Sequence, residues 1–174
     1  MAAGDVKIKY VASSAITVTA LNGAIASSAT WIAGWGSGTI DNSSALYPDY
    51  SINASLVAES SGLTAGEARM YLVAELSDDA YGDLLSSGTE GTEGAITFHD
   101  VNVRDANCRL AAVTATDTTA SQVYPMSCSS VAAVFGGVVP RKFFIFITHS
   151  MVAALETAGN AVHVIGVYYT VAQS

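Results

Sequence analysis

Charged side chains are scarce in this sequence of 174 residues: Asp, Glu, Lys and Arg make up 13% of it, whereas hydrophobic residues make up 51%. An ordinary soluble domain contains about 25% charged residues. A monomer needs charged, solvated faces, and this chain has few residues from which to build them. We therefore expect part of its surface to be covered by another subunit or another protein.

Basic residues are the scarcer of the two charged classes. Seven Lys and Arg stand against 15 Asp and Glu, which gives a net charge of −8. Phosphate binding requires clustered Lys and Arg, whereas here Arg141 and Lys142 form the one directly adjacent pair. The sequence therefore predicts no direct binding of nucleic acid.

Long apolar runs are missing as well. The run from Phe143 to Ile147 is far shorter than the roughly 20 residues that a membrane-spanning helix needs. No basic segment followed by an apolar stretch opens the chain, so we expect no secretory signal. These features predict that the protein has no membrane partner.

Residues that commonly carry chemistry are few and scattered. Cys108 and Cys128 have the spacing of neither a disulfide framework nor a zinc site, and we expect two small thiols in a β core. His99, His149 and His163 form no H-E-x-x-H or H-x-H pair. No G-x-S-x-G elbow is present. The sequence therefore predicts a protein that is not an enzyme, with no cofactor and no transition metal.

Alternation of apolar and polar residues is the dominant pattern. It runs through four segments, each typical of a half-buried strand: 6–10, 16–20, 50–56 and 68–76. Dense turn residues separate such segments, and sustained helical periodicity is missing; one helical turn is expected near 150–158. The pattern predicts one domain over residues 1–174, an all-β, jelly-roll-like antiparallel sandwich of two sheets with less than about a tenth helix.

Calcium is an alternative that stays open for such a fold, because loop oxygens can hold Ca²⁺. Asp41-Asn42 and Asp78-Asp79 supply candidate ligands, without D-x-D-x-D spacing. The second pair also suits an ordinary turn after a strand.

Two later segments, Phe143 to Thr148 and Val162 to Val171, are apolar on both faces. In a two-layer sandwich one face of each strand points away from the core, and no predicted helix is long enough to cover it, so loops or subunits must. We expect a homo-oligomer, most plausibly a trimer. The expected interface residues are Phe144, Phe146, Val162, Val164 and Tyr168, together with Trp31 and Trp35 from loops.

Loop aromatics suggest an alternative activity. A set of five (Trp31, Trp35, Tyr47, Tyr50 and Tyr81) would suit stacking on sugar rings, as in a carbohydrate- or host-surface-binding module. Tyr and Trp equally anchor protein interfaces. The low charge favours the interface.

The order of several motifs resembles a group of small virion proteins of tailed phages. The strand Arg69–Ala74 is followed by Ser77-Asp78-Asp79, and Phe135–Lys142 reads FGGVVPRK. An apolar strand then leads to Thr148, and Ile165–Tyr169 closes the pattern. This chain departs from the group in having Ser-Met-Val after His149 where Asn-x-Thr-Gly is usual.

The resemblance covers most of the chain and implies a jelly-roll-like protein built into a virion. It implies a capsid cement or decoration subunit, made in the host cytoplasm and bound on the capsid surface to neighbouring major capsid protein subunits. A tail-associated component is the other location that it allows. Its motifs are structural, and no catalytic residue carries over.

Overall fold

The computed structural model describes residues 6–77 and 80–171. It is mostly β, with 47% strand and 7% helix, in two antiparallel sheets that pack together, which confirms the predicted all-β sandwich. The strands are β1 Val6–Tyr10, β2 Ser14–Ala15, β3 Ala33–Gly36, β4 Ile40–Asp41, β5 Asp49–Val57, β6 Gly66–Ala74, β7 Leu85–Ser87, β8 Gly94–Phe98, β9 Cys108–Thr116, β10 Val123–Cys128, β11 Lys142–His149 and β12 Ala161–Val171, and the helices are α1 Val101–Asn107 and α2 Val131–Val134.

The strand order is that of a jelly roll. One sheet has the order β1-β12-β5-β10, with β2 also paired to β12. The other has the order β7-β8-β3-β11-β6-β9, with β4 also paired to β11. Along the chain, the main strands mostly cross from one sheet to the other, and the last strand returns beside the first. This double Greek key leaves short edges and buries one face of each sheet.

The main core lies between the two sheets. Alternation places one side of each strand there, as the regular burial pattern of β5 shows. The core is made by residues from both sheets, among them Ile52, Leu56, Met70, Leu72, Ile145, Ile147, Val162 and Val164. Because burying each such side chain contributes about 1.5–3 kcal/mol, this layer accounts for the fold without metal or disulfide.

A second core covers the outer face of the seven-stranded sheet. Phe144 and Phe146 project to this face, where Tyr81 and Phe98 contact them edge to face with ring centroids 5.0 and 4.9 Å apart. The covering residues come from the segment between β6 and β9, which contains β7, β8 and α1. Asp100 caps α1 by accepting from the backbone N–H of Val103 at 2.9 Å. The sequence predicted that loops or other subunits cover this face. In the structure, the chain's own segment between β6 and β9 covers it.

Five of the residues that were expected at an interface belong to the two cores instead. Phe144 and Phe146 belong to the second core, and Val162 and Val164 to the main core. Trp35 is fully buried, and its Nε1–H donates to Glu93 Oε1 at 2.8 Å. Each is enclosed by its own chain, so none is available to a second subunit.

Two local expectations are also wrong. The predicted strand over 16–20 is replaced by a turn, in which Asn22 N–H donates to Val18 O, and β2 ends at Ala15. The helical turn expected near 150–158 is irregular backbone instead, with an isolated bridge from Ala58 to Leu155. Contacts with distant parts of the chain set the backbone of both segments, and a local sequence pattern does not encode such contacts.

Candidate interaction surface

A two-stranded ribbon extends from one end of the five-stranded sheet. β5 pairs with β12 only as far as Val167, whereas β1 pairs with β12 from Val167 to Val171. The last four residues of β12 therefore have β1 as their one neighbour among the described strands. All five residues of β1 are exposed.

One face of this ribbon is apolar. Directly paired residues of an antiparallel ladder project to the same face, and the register pairs Val6 with Val171 and Ile8 with Tyr169. The exposed set on this face, which we name the apolar ribbon, is 58–67% exposed and comprises Val6, Ile8, Tyr10, Tyr169 and Val171. Single exposed apolar side chains are common, but a contiguous group marks an interaction site.

The opposite face of the ribbon is basic. Lys7 and Lys9 lie there, across from Thr170 and Tyr168. Neither lysine has an ion pair to a described residue, whereas Arg69, Arg104, Arg141 and Lys142 all pair with carboxylates. In a chain of net charge −8, the ribbon thus carries two lysines that pair with no carboxylate of the described residues.

A cluster of tyrosines holds the base of the ribbon. The ring of Tyr47 lies 6.4 Å from that of Tyr168 and 5.5 Å from that of Tyr50. Tyr50 donates its hydroxyl to Asn42 Oδ1 at 2.9 Å, and burial raises its pKa to about 12. Gly166 leaves room for Tyr47, since a Cβ there would lie 2.6 Å from the ring. Tyr168 is half-buried in this cluster, so it supports the ribbon from within the protomer.

Trp31 marks a smaller, separate surface. The Arg69 guanidinium lies 4.0 Å from the centre of the Trp31 ring, and Glu67 Oε2 accepts from Arg69 Nε and Nη2 at 2.9 and 2.7 Å. Val113, which pairs with Arg69 on β9, is exposed. Trp and Arg are the residue types that most often anchor protein interfaces. The interface role expected for Trp31 stays a prediction.

The five loop aromatics do not form one continuous exposed surface. Trp35, Tyr50 and Tyr81 are buried. Tyr47 packs on Gly166, and Arg69 covers one face of Trp31. Stacking on a sugar requires open ring faces, and three of the five rings are buried.

The three histidines lie in three separate environments. His99 is 3.4 Å from the exposed Asp83, and His149 is fully buried with Nε2 3.0 Å from Ile25 O. His163 Nδ1 lies 3.2 Å from Ser13 Oγ, the arrangement nearest to a catalytic dyad. In a catalytic dyad a third group usually orients the base, and within the described residues no carboxylate bonds the other nitrogen of His163.

Metal ligands are not assembled in the described part of the chain, where no group of three or more His, Cys, Asp or Glu is placed to hold an ion. Asp41 accepts from Ser43 N–H at 2.7 Å and lies 3.7 Å from Lys142 Nζ. It borders an open polar depression lined by Thr39, Asp41, Tyr81, Glu90 and Lys142. The other calcium candidates, Asp78 and Asp79, lie outside the described residues.

Cys108 and Cys128 are free and buried, as the sequence predicted for thiols in a β core. Burial raises the pKa of the Cys108 thiol to about 12 and raises that of Cys128 as well. The reactive form of cysteine is the thiolate, so both side chains act as small apolar groups.

Among the residues described, no helix is both long and apolar enough to cross a membrane. Comparison with known proteins finds no matching family model, no matching curated protein and no matching solved structure.

Proposed function

We propose that this chain is a non-enzymatic structural subunit of a phage virion, of the capsid cement or decoration kind. In this proposal it lies on the capsid surface and attaches to neighbouring major capsid protein subunits through the apolar ribbon. The observation that carries the proposal is the apolar ribbon itself, five large apolar side chains that lie together on one face of β1 and β12 and are 58–67% exposed. Its motifs resemble those of small virion proteins, which supplies the class of partner.

The energetics of the apolar ribbon suit attachment to a repeated surface. Burying one such side chain contributes about 1.5–3 kcal/mol, while association costs about 4–15 kcal/mol in lost freedom. The gain from five side chains, about 7.5–15 kcal/mol, is similar to this cost, so one contact by itself binds weakly. Several contacts per oligomer strengthen attachment because the later contacts are intramolecular, and we propose a homo-oligomer, with a trimer favoured, placed at local symmetry axes.

Attachment to particles tests the proposal. We would prepare particles of a phage that encodes the chain, with its gene deleted, and measure binding of the purified protein by co-sedimentation. The double variant Ile8→Glu/Tyr169→Lys should bind about 100-fold more weakly, because two apolar contacts worth about 1.5 kcal/mol each are lost, while the opposite charges of this cross-strand pair keep the ribbon paired. Both side chains are exposed in the protomer, so its unfolding free energy should change by less than about 1 kcal/mol.

A matched control makes the same two kinds of change elsewhere. Val123 and Leu110 are also exposed, and they lie on β10 and β9 rather than on β1 or β12, so Val123→Glu/Leu110→Lys should bind like the natural sequence. Equal binding by the ribbon variant, or no saturable binding by the natural sequence, contradicts the proposal. Sedimentation velocity of the protein alone at tens of micromolar measures the oligomer, and specific binding on a glycan array would instead favour the carbohydrate module.

A further inference from the structure

The outer edge of β1 is open. β1 is the terminal strand of its sheet, and in the described ranges no strand pairs with the edge that faces away from β12. An exposed edge presents a row of N–H and C=O groups that can pair with another extended chain. No proline stands in β1, which reads Val-Lys-Ile-Lys-Tyr, so every residue keeps its backbone donor.

We propose that this edge binds an extended segment of the partner protein as an added strand, and that this segment alternates apolar with acidic residues. This inference rests on the proposed function for the identity of the partner as a virion subunit. The chemistry of the segment follows from the two faces of β1.

The face that carries Val6, Ile8 and Tyr10 selects apolar residues. A strand added beside β1 places every second side chain next to these three, which are already flanked on the other side by Tyr169 and Val171. Residues of matching polarity on that side of the added strand extend the apolar surface and remove it from water.

The other face selects acidic residues. Lys7 and Lys9 lie there without an ion pair to any described residue. Side chains directly opposite in a strand pair attract when their charges differ and repel when they match. Asp or Glu at the remaining positions of the segment would therefore pair with the two lysines.

The same alternation excludes a second copy of β1 as the occupant. If two β1 strands pair antiparallel with Ile8 opposite Ile8, Lys7 of one copy faces Lys9 of the other. Sliding the pair by two residues brings Lys7 opposite Lys7 or Lys9 opposite Lys9. Sliding it by one sets lysines against apolar residues. Each of these antiparallel registers is unfavourable, so the edge favours an acidic strand over a second copy of β1.

Peptide binding to the full chain tests the inference. A nine-residue peptide that alternates Val and Glu should bind at least tenfold more tightly than one that alternates Val and Lys, by isothermal calorimetry. The double variant Lys7→Glu/Lys9→Glu should reverse this preference. Binding of the Val-Glu peptide should also slow amide hydrogen exchange in residues 6–10. Equal affinity for both peptides, or binding without protection of β1, would overturn the proposal.

Methylated peptides separate strand addition from simple charge attraction. Along an added edge strand, alternate N–H groups point toward β1 and the others point away. N-methylation of either the Val or the Glu amides should therefore abolish binding in one case and leave it within about twofold in the other. Loss in neither case would overturn strand addition. If the Ile8→Glu/Tyr169→Lys variant fails to attach to particles while these peptides show no strand addition, the inference fails and the proposed function stands.

Discussion

Trp31 is held in a backbone conformation that its own side chain disfavours. Its φ is +62°, in the left-handed region, which costs a bulky residue about 1–3 kcal/mol. The turn is closed by Trp31 N–H donating to Ser28 O at 3.1 Å, and Ser28 Oγ accepts from the next two backbone N–H groups. In this conformation the ring lies beneath the Arg69 guanidinium, 4.0 Å from it.

His149 is a buried group that is stable in the fold only when neutral. Its Nε2–H donates to Ile25 O at 3.0 Å, because a carbonyl can only accept, and Nδ1 has no hydrogen-bond partner among the described residues. Burial lowers the pKa of this imidazole from the value of 6.5 in an unfolded chain. Protonation would leave a charge with no carboxylate beside it.

We expect acid to destabilise the protein through His149. Below pH 6.5 the unfolded chain binds a proton that the folded chain does not, so stability is full above that pH and is lost as pH falls toward the folded pKa. The slope is at most about 1.4 kcal/mol per pH unit for one proton. Urea unfolding at pH 7.5, 6.5 and 5.5 measures it.

The variant His149→Gln provides the comparison, since a Gln amide retains a donor for Ile25 O and does not titrate. It should lose less stability than the natural sequence between pH 6.5 and 5.5. Val138→Gln is the matched control, because it introduces the same amide at an exposed position that does not titrate, and its slope should equal that of the natural sequence. Identical slopes for His149→Gln and the natural sequence would contradict this role.

At the scale of elements, β11 is the strand on which both cores depend. Phe143, Ile145 and Ile147 point into the main core, while Phe144 and Phe146 point into the second. β3 and β4 flank it on one side and β6 on the other. The segment between β6 and β9 folds back over it, so the sheet has no free apolar face at this point.

Substitution of Phe144 should therefore damage the protomer rather than an assembly of protomers. Phe144→Ala should lower the unfolding free energy by about 3–5 kcal/mol, because it opens a cavity beneath Tyr81. Phe144→Glu should prevent folding altogether, since it buries an unpaired charge. Chemical denaturation and near-ultraviolet circular dichroism measure both. The exposed Val138→Ala is the control and should change stability by less than about 0.5 kcal/mol. A folded Phe144→Glu protomer with natural stability would contradict the second core.

At the scale of the whole molecule, the structure joins a well-packed body to a thinly supported ribbon. The body has two cores and central strands bonded on both edges. The ribbon has a single ladder and exposed faces. Regions with few buried contacts open with lower free energy than the core.

Native-state hydrogen exchange should reproduce this gradient. We expect the slowest amides in β11 and β6 and the fastest strand amides in β1, with a difference of more than about 100-fold. Binding to particles should slow β1 selectively and leave β11 unchanged. Uniform protection across all strands would contradict the division into body and ribbon.

The sequence by itself determined the class of fold, and it did so through alternation. The strand expected over 50–56 is observed as Asp49–Val57, and that over 68–76 as Gly66–Ala74. Period-2 burial is a local property, because neighbouring side chains of an extended chain must point to opposite faces. The apolar character of both faces of β11 was likewise visible in its residues.

Only the tertiary structure decided what covers those faces and which residues remain exposed. The cover for Phe144 and Phe146 comes from residues far along the chain, and α1 is positioned there by its cap and its packing. Conversely, Val6, Ile8 and Tyr10 alternate as a half-buried strand would, yet they are exposed because their pairing with β12 places them on the outer face of the five-stranded sheet, opposite to the core residues Val162 and Val164. Alternation specifies that one face is apolar. Whether that face is buried in a core, covered by a partner or exposed to water depends on which distant part of the chain packs against it.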